Sequence, residues 1–289
     1  MIYLLLSVVF STLFLLTFRF FSRPGVNSLQ AITVNYFIAS ALCFASSPTR
    51  ALEMVKGLEV LFFQAASMGL LFILVIVLIP VVTARMGVVA VAVANKMSFV
   101  IPVIAGLLFH GESLTLINTI GLILAMAAVI LSSLKKRGST ATPSLTAIIW
   151  PVLLFIGSGS IDAWLSFNMR HHMSGDQTTL LPFMAILFFS AGIFGTTALV
   201  VSGNVRVTRR NTGMGLILGL INTGSILFLM QAIGQGGLQN NVIFPINNLG
   251  VITLSTLASM FLFKEPMNRL QAGGLVFALL AILMITQAA

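Results

Sequence analysis

Apolar residues fill this chain in ten long runs, approximately 2–21, 28–46, 58–80, 86–109, 116–134, 145–168, 178–201, 212–233, 239–262 and 268–287, and nearly every charged residue falls between them. At a rise of about 1.5 Å per residue, about 20 residues of helix cross the hydrocarbon core of a bilayer. The runs have that length. They are also continuous, as in Leu70 to Ile79, whereas the strands of a membrane barrel alternate polar and apolar positions. The pattern predicts an all-α integral membrane protein of ten transmembrane helices joined by short turns.

Composition narrows the reading further. Hydrophobic residues make up 58% of the 289 positions and charged residues 7%, with a mean hydropathy of +1.09, too little charge to clothe a water-facing surface. No basic stretch precedes Ile2, and the first run is longer than a signal-peptide core, so it is expected to be the first spanning helix. The net charge of +9 would suggest nucleic acid in a soluble protein. Here the cations lie in short loops beside spans, where they act as orientation signals. Arg19, Arg23, Arg85, Lys135, Lys136, Arg137, Arg206, Arg209, Arg210, Lys264 and Arg269 fall on one side, against Arg50, Lys56 and Arg170 on the other. The bias places both termini outside a multi-pass protein of the inner (plasma) membrane. A single cysteine, Cys43, permits no disulfide framework.

The stretch Lys135–Ser144 is the longest polar segment and divides the chain into residues 1–137, a linker 138–144 and residues 145–289. A shift of 153 positions lays the fourth and fifth runs over the ninth and tenth. Asn95 then falls on Asn248, Ala105 on Ala258, Glu112 on Glu265, Gly121 on Gly274, Ala125 on Ala278 and Ala128 on Ala281. Two of only six acidic residues coincide in this register. Because five is odd, consecutive five-helix units cross the membrane in opposite senses, which predicts two inverted repeats around a site near the midplane. Gly121, Ala125 and Ala128, like their counterparts, line one helical face and are expected to pack closely against a neighbour, as are Gly215 and Gly219.

Two five-helix halves, each with a helix running into an acidic turn (FHGESLTLINTIG at 109–121, FKEPMNRLQAGG at 263–274) and then into a small-residue helix, resemble the drug/metabolite transporter superfamily, EamA type. The resemblance covers the whole chain in layout. It implies a ten-helix inverted-repeat carrier of small metabolites working by alternating access, its cavity lined by the first four helices of each half. Members of that family usually keep their termini cytoplasmic, the reverse of what the cations here favour. The turns also have a local account: Glu112 and Glu265 precede the fifth and tenth helices, whose free N–H groups and dipoles favour a carboxylate, and Pro266 suits the first helical position. They are expected to be structural.

An ionisable side chain at bilayer depth costs about 3 kcal/mol or more unless it faces protein or water. Lys96 and Asp162 are the clear cases, and either a buried structural pair or a charged substrate site would account for them. Asn95, Asn222, Asn241, Asn247 and Asn248 form an amide-rich set, with Asn240 and Gln231 nearby, and Pro245 is expected to disturb the ninth helix. Trp164 offers a stacking face beside Asp162. Asn35 and Tyr36, with Gln64, are weaker candidates. The expected function is a secondary transporter exporting a small polar or amphipathic metabolite, with these residues binding substrate and Asp162 the one mid-membrane carboxylate available to carry a coupling proton. No enzyme activity, cofactor, metal or nucleic acid is expected. The partners are the substrate and the lipid bilayer, for a monomer or homodimer. Two rival classes are an acyltransferase-like enzyme using His172 and Asp176, in a stretch His171–Asp176 that fits a His-x4-Asp pattern with a histidine base, and a non-transporting scaffold.

Overall fold

The computed structural model describes residues 1–21, 27–57, 59–109, 111–133, 145–173, 177–204, 207–235, 238–263 and 269–287. Among these the chain is all-helical. In order, the helices are α1 (Ile2–Phe21), α2 (Ser28–Ser46), α3 (Pro48–Lys56), α4 (Val60–Met97), α5 (Val100–Phe109), α6 (Leu116–Ser133), α7 (Leu145–Asn168), a π-helical turn (Met169–Met173), α8 (Gln177–Val201), α9 (Arg209–Gln235), α10 (Asn240–Phe263) and α11 (Arg269–Gln287). Among the described residues, five helical stretches are long and apolar enough to cross a membrane: Ser28–Ser46, Val60–Ile79, Ile149–Met173, Thr178–Val201 and Arg209–Gly234.

Two differences from the run pattern have local causes. The third and fourth runs share the continuous 38-residue helix α4, which carries on through Arg85 and ends at Met97. The interruption comes instead at Ser98–Phe99, just before Pro102. Proline has no N–H to give the Ser98 carbonyl, and that carbonyl is taken by the Ile101 N–H at 3.0 Å, one residue early. Conversely, Pro245 lies inside α10 without ending it. The second difference is α3, in a stretch the apolar pattern leaves as a connection. Pro48 opens it, Ala51 and Met54 are buried, and Arg50 grips Glu59 through two contacts of 2.8 and 3.1 Å that close the turn into α4.

The chain packs as two compact units, Met1–Leu74 with Phe167–Gly236, and Val75–Ser166 with Gly237–Ala289. Each draws on both sequence halves; a repeat along the chain and a unit of packing are different divisions.

In the first unit, contacts fix helix directions. Ser40 donates to the Ala185 carbonyl at 2.8 Å, while Tyr36 stacks on Phe188 and Phe37 meets Phe189. Position rises on α2 as it falls on α8, so the two are antiparallel. Gly215 lies against Ala31 and Gly219 against Asn35, so α2 and α9 run parallel and touch through the glycines the sequence marked for close packing. A Cβ at Gly215 would stand 2.6 Å from the Ala31 carbonyl oxygen. Ser11 meets Ser225 at 2.7 Å and Phe10 packs on Phe228, joining α1 to α9. An amide clasp ties the starts of α2 and α9: Asn211 donates to Gln30 at 2.6 Å, and Gln30 to the Asn204 carbonyl at 2.9 Å.

In the second unit α6 packs on α11. Ala125, Ala128, Ala278 and Ala281 are fully buried there, and a Cβ at Gly121 would come within 2.7 Å of Ile285. Small residues let these two backbones approach closely.

Candidate functional site

The polar side chains of the second unit gather where α4 stops. Lys96 lies in the last turn of α4, whose terminal carbonyls carry partial negative charge and favour a cation. The Ser98 hydroxyl donates to the Asn95 carbonyl at 2.6 Å, finishing the helix with a side-chain bond. From this end Lys96 Nζ donates to Asn248 Oδ1 of α10 at 3.4 Å, and the Asn95 amide donates to the Ser158 hydroxyl of α7 at 3.4 Å. Asp162, one turn beyond Ser158, exerts a coulombic pull on Lys96. No hydrogen-bond donor among the described residues reaches the Asp162 carboxylate. A cation and an anion thus lie in one apolar unit, attracted but each with bonding capacity in reserve.

Ser158, Asp162 and Ser166 recur every four residues and form one stripe on α7. Ser166 donates to Asn240 Oδ1 at 2.7 Å. Along α10, Asn240 and Asn248 are eight residues apart, about 80° round the helix. Ser166 meets Asn240, while Asp162, one turn earlier on α7, attracts the Lys96 that bonds Asn248, an order that sets α7 antiparallel to α10. Asn240 lies against Pro102 at 3.5 Å while Asn248 reaches Lys96, so α10 also opposes the line of α4 and α5.

The N-terminal end of α10 has an unexpected partner. Sequence reasoning placed Glu112 as a cap for its own following helix. That place is filled by Thr115, whose hydroxyl accepts from the Asn118 N–H at 3.1 Å. The Glu112 carboxylate instead accepts from the Asn240 N–H at 2.7 Å and the Asn241 N–H at 3.3 Å. A left-handed Gly111 (φ 64°) turns the chain for this, and only a glycine at 106 leaves room, since a Cβ there would stand 2.6 Å from Glu112 Cδ. A carboxylate on a buried helix N-terminus contributes up to about 2 kcal/mol. Glu265 and Asp176 lie outside the described residues.

The structure therefore brings together Asn95, Lys96, Asp162 and Asn248. Asn247 is buried on the same helix, and Trp164 lies half-buried two residues beyond Asp162. Asn241 belongs to the Glu112 clasp, donating to the Ser113 carbonyl at 3.1 Å. Asn35, Tyr36 and Asn222 are in the first unit, all buried. Tyr36 there packs against Phe188 and the Asn35 amide turns back to the Ile32 carbonyl at 3.4 Å, both interior packing roles. His171 and His172 are exposed, and His171 stacks on Phe167 with ring centres 4.4 Å apart. Sequence reasoning passed over Ser158 and Ser166. The four-residue spacing through Asp162 was the signal that could have found them.

No family model matches the chain. It is 26% identical over 264 residues to an uncharacterized protein of Haemophilus influenzae, covering 88% of this chain and 86% of that one. A protein of known crystal structure superposes on all of this chain and on 96% of its own, with a TM-score of 0.76 at 11% identity. At that identity the likeness shows the fold alone.

Proposed function

We propose that the protein is a ten-span carrier of the drug/metabolite transporter type in the inner membrane, with both termini outside. It exports a small polar or amphipathic metabolite by alternating access through the Lys96–Asp162–Asn248 cluster. The observation that carries the reading is an ammonium and a carboxylate drawn together at a helix interruption inside an apolar unit, with amides from a third helix. Burying such charges is costly, and replacing an ion pair by packed apolar residues is often neutral or stabilising. Their presence argues for a task beyond holding the fold, and unwound backbone beside ionisable groups is how carriers build midplane sites. The inverted repeat is supported by direction. α2 opposes α8, and the line of α4 and α5 opposes α10; these are the helices that the 153-residue shift equates. Asp162 is the group proposed to carry a coupling proton.

The test is a thermal-shift screen of the purified protein in detergent against amino acids, sugars, nucleosides and cationic dyes, because a ligand that binds only the folded state raises its apparent stability. Hits are then assayed for flux in liposomes. Flux no greater than in protein-free liposomes for every stabilising ligand rejects the carrier. Cysteines at positions 95, 162 and 248, in a Cys43→Ser background, test for a wet cavity. Thiols protected by the same ligand support the site, and three inert thiols sink it.

A further inference from the structure

We infer that Glu112 is a positioning residue for the Lys96–Asn248 contact. Its carboxylate holds the start of α10, and the buried first turns of that helix set where Asn248 meets the ammonium. The inference rests on the proposed function only in taking that contact as part of the substrate site.

The residue before α10 is Gln239, not one of the short side chains that cap a helix from within. The cap comes from a distant turn: Glu112 accepts from the Asn240 and Asn241 N–H groups. Side chains of the same two residues complete the anchorage. Asn240 is bonded to Ser166 of α7 and donates to the Pro102 carbonyl of α5, and Asn241 donates to the Ser113 carbonyl beside Glu112. The first turn of α10 is thereby fixed to three other segments of its unit, with Glu112 the charged member.

From Asn240 to Asn248 is about 12 Å along the axis at a rise of ~1.5 Å per residue. Every residue from Asn240 to Leu249 is buried, so this part of the helix is enclosed on all sides in a close-packed setting, and it continues through Pro245 without ending. A displacement at its first turn is delivered to Asn248. The Lys96–Asn248 bond is already 3.4 Å long, at the outer limit for a hydrogen bond. A displacement of Asn248 that the Lys96 stem does not follow breaks it. Gly106 belongs to the same device, because it leaves the space the carboxylate occupies.

The experiment is a pair of double-mutant cycles on the full-length protein in detergent, read as thermal unfolding midpoints. One combines Glu112→Gln with Asn248→Ala, and the other combines Gly106→Ala, which displaces the carboxylate without removing it, with Asn248→Ala. Distant independent sites add, and a merely local anchor would therefore give double variants whose midpoint losses equal the sums. A positioning role predicts losses smaller than the sums by about a third or more in both cycles, since Asn248 contributes little once its helix has shifted. Glu112→Gln with Asn222→Ala, in the other compact unit, is the additive control. Additivity throughout overturns the inference. If Glu112→Gln is not recovered folded, the Gly106→Ala cycle decides alone. Non-additive cycles in a protein without flux would uphold the positioning role and reject the carrier. Additive cycles in a protein with flux would do the reverse.

Discussion

Replacing Lys96 by methionine removes a cation and keeps most of the side-chain volume, while Asp162→Asn removes the anion and keeps its shape. The two changes are not equivalent in this structure. Without Asp162, Lys96 retains the terminal carbonyls of α4 and the Asn248 oxygen at 3.4 Å. Without Lys96, Asp162 loses its coulombic partner and has no hydrogen-bond donor among the described residues. Breaking a buried contact pair from one side costs about 3–5 kcal/mol, which is an upper limit for these two half-buried groups. Lys96→Met is expected to approach that limit and Asp162→Asn to cost less, because Lys96 keeps a hydrogen bond to a charged group, worth about 1.5–3 kcal/mol. The double variant buries no orphan charge and is expected within about 1 kcal/mol of the parent, as apolar or neutral replacements of whole ion pairs commonly are. Thermal unfolding of purified protein in one detergent reads all four species. A double variant that loses the sum of the single losses, or an Asp162→Asn loss larger than that of Lys96→Met, refutes the reasoning.

Other expectations follow from single contacts. A Cβ at Gly69 would stand 2.5 Å from the Leu187 carbonyl oxygen and 2.7 Å from the Ala191 nitrogen. Backbone cannot yield as a side chain does, so Gly69→Ala should cost about 1–3 kcal/mol by overpacking. Gly213→Ala meets nothing within 4 Å and should gain up to about 1 kcal/mol of helix propensity; equal unfolding midpoints for the two would contradict the α4–α8 contact. Arg50→Ala opens the Glu59 grip, but both side chains are about a third exposed, so the loss should stay under about 1 kcal/mol and shrink with added salt. If Asp162 carries the coupling proton, liposome flux by Asp162→Asn loses the pH dependence of the parent; flux that keeps it removes the coupling proposal. His172→Ala should leave liposome flux unchanged, a result that sinks the enzyme reading.

Much of the helical layout was legible because the physics of a bilayer is coarse. A span must be apolar over about 20 residues and satisfy its own backbone, so α1 and α2 begin and end where their apolar runs do. α3 escaped because nine mixed residues lie below the length at which periodicity speaks. The interruption in the fourth run escaped because prolines also lie inside α7, α8 and α10 without ending them, and sequence does not say which carbonyl finds a substitute donor. The charges and amides of the candidate site were visible as costly exceptions in an apolar background, and so were the glycines of the α2–α9 contact.

The partners of those residues were not. Glu112 stands three residues before Thr115, and local chemistry permits either to cap α6; only packing brings the start of α10 to the carboxylate and leaves α6 to the threonine. Likewise one cluster of asparagines in the sequence becomes two groups in space, Asn240 and Asn241 in the clasp and Asn248 on Lys96, because about two helical turns separate them. Sequence by itself determined most of the helical segments and which side chains are too polar to idle in lipid, since both depend on transfer from water and on local backbone bonding. Tertiary structure decided who meets whom, because a hydrogen bond needs its two atoms within about 3.5 Å, and segments more than a hundred residues apart reach that distance only once the helices have packed.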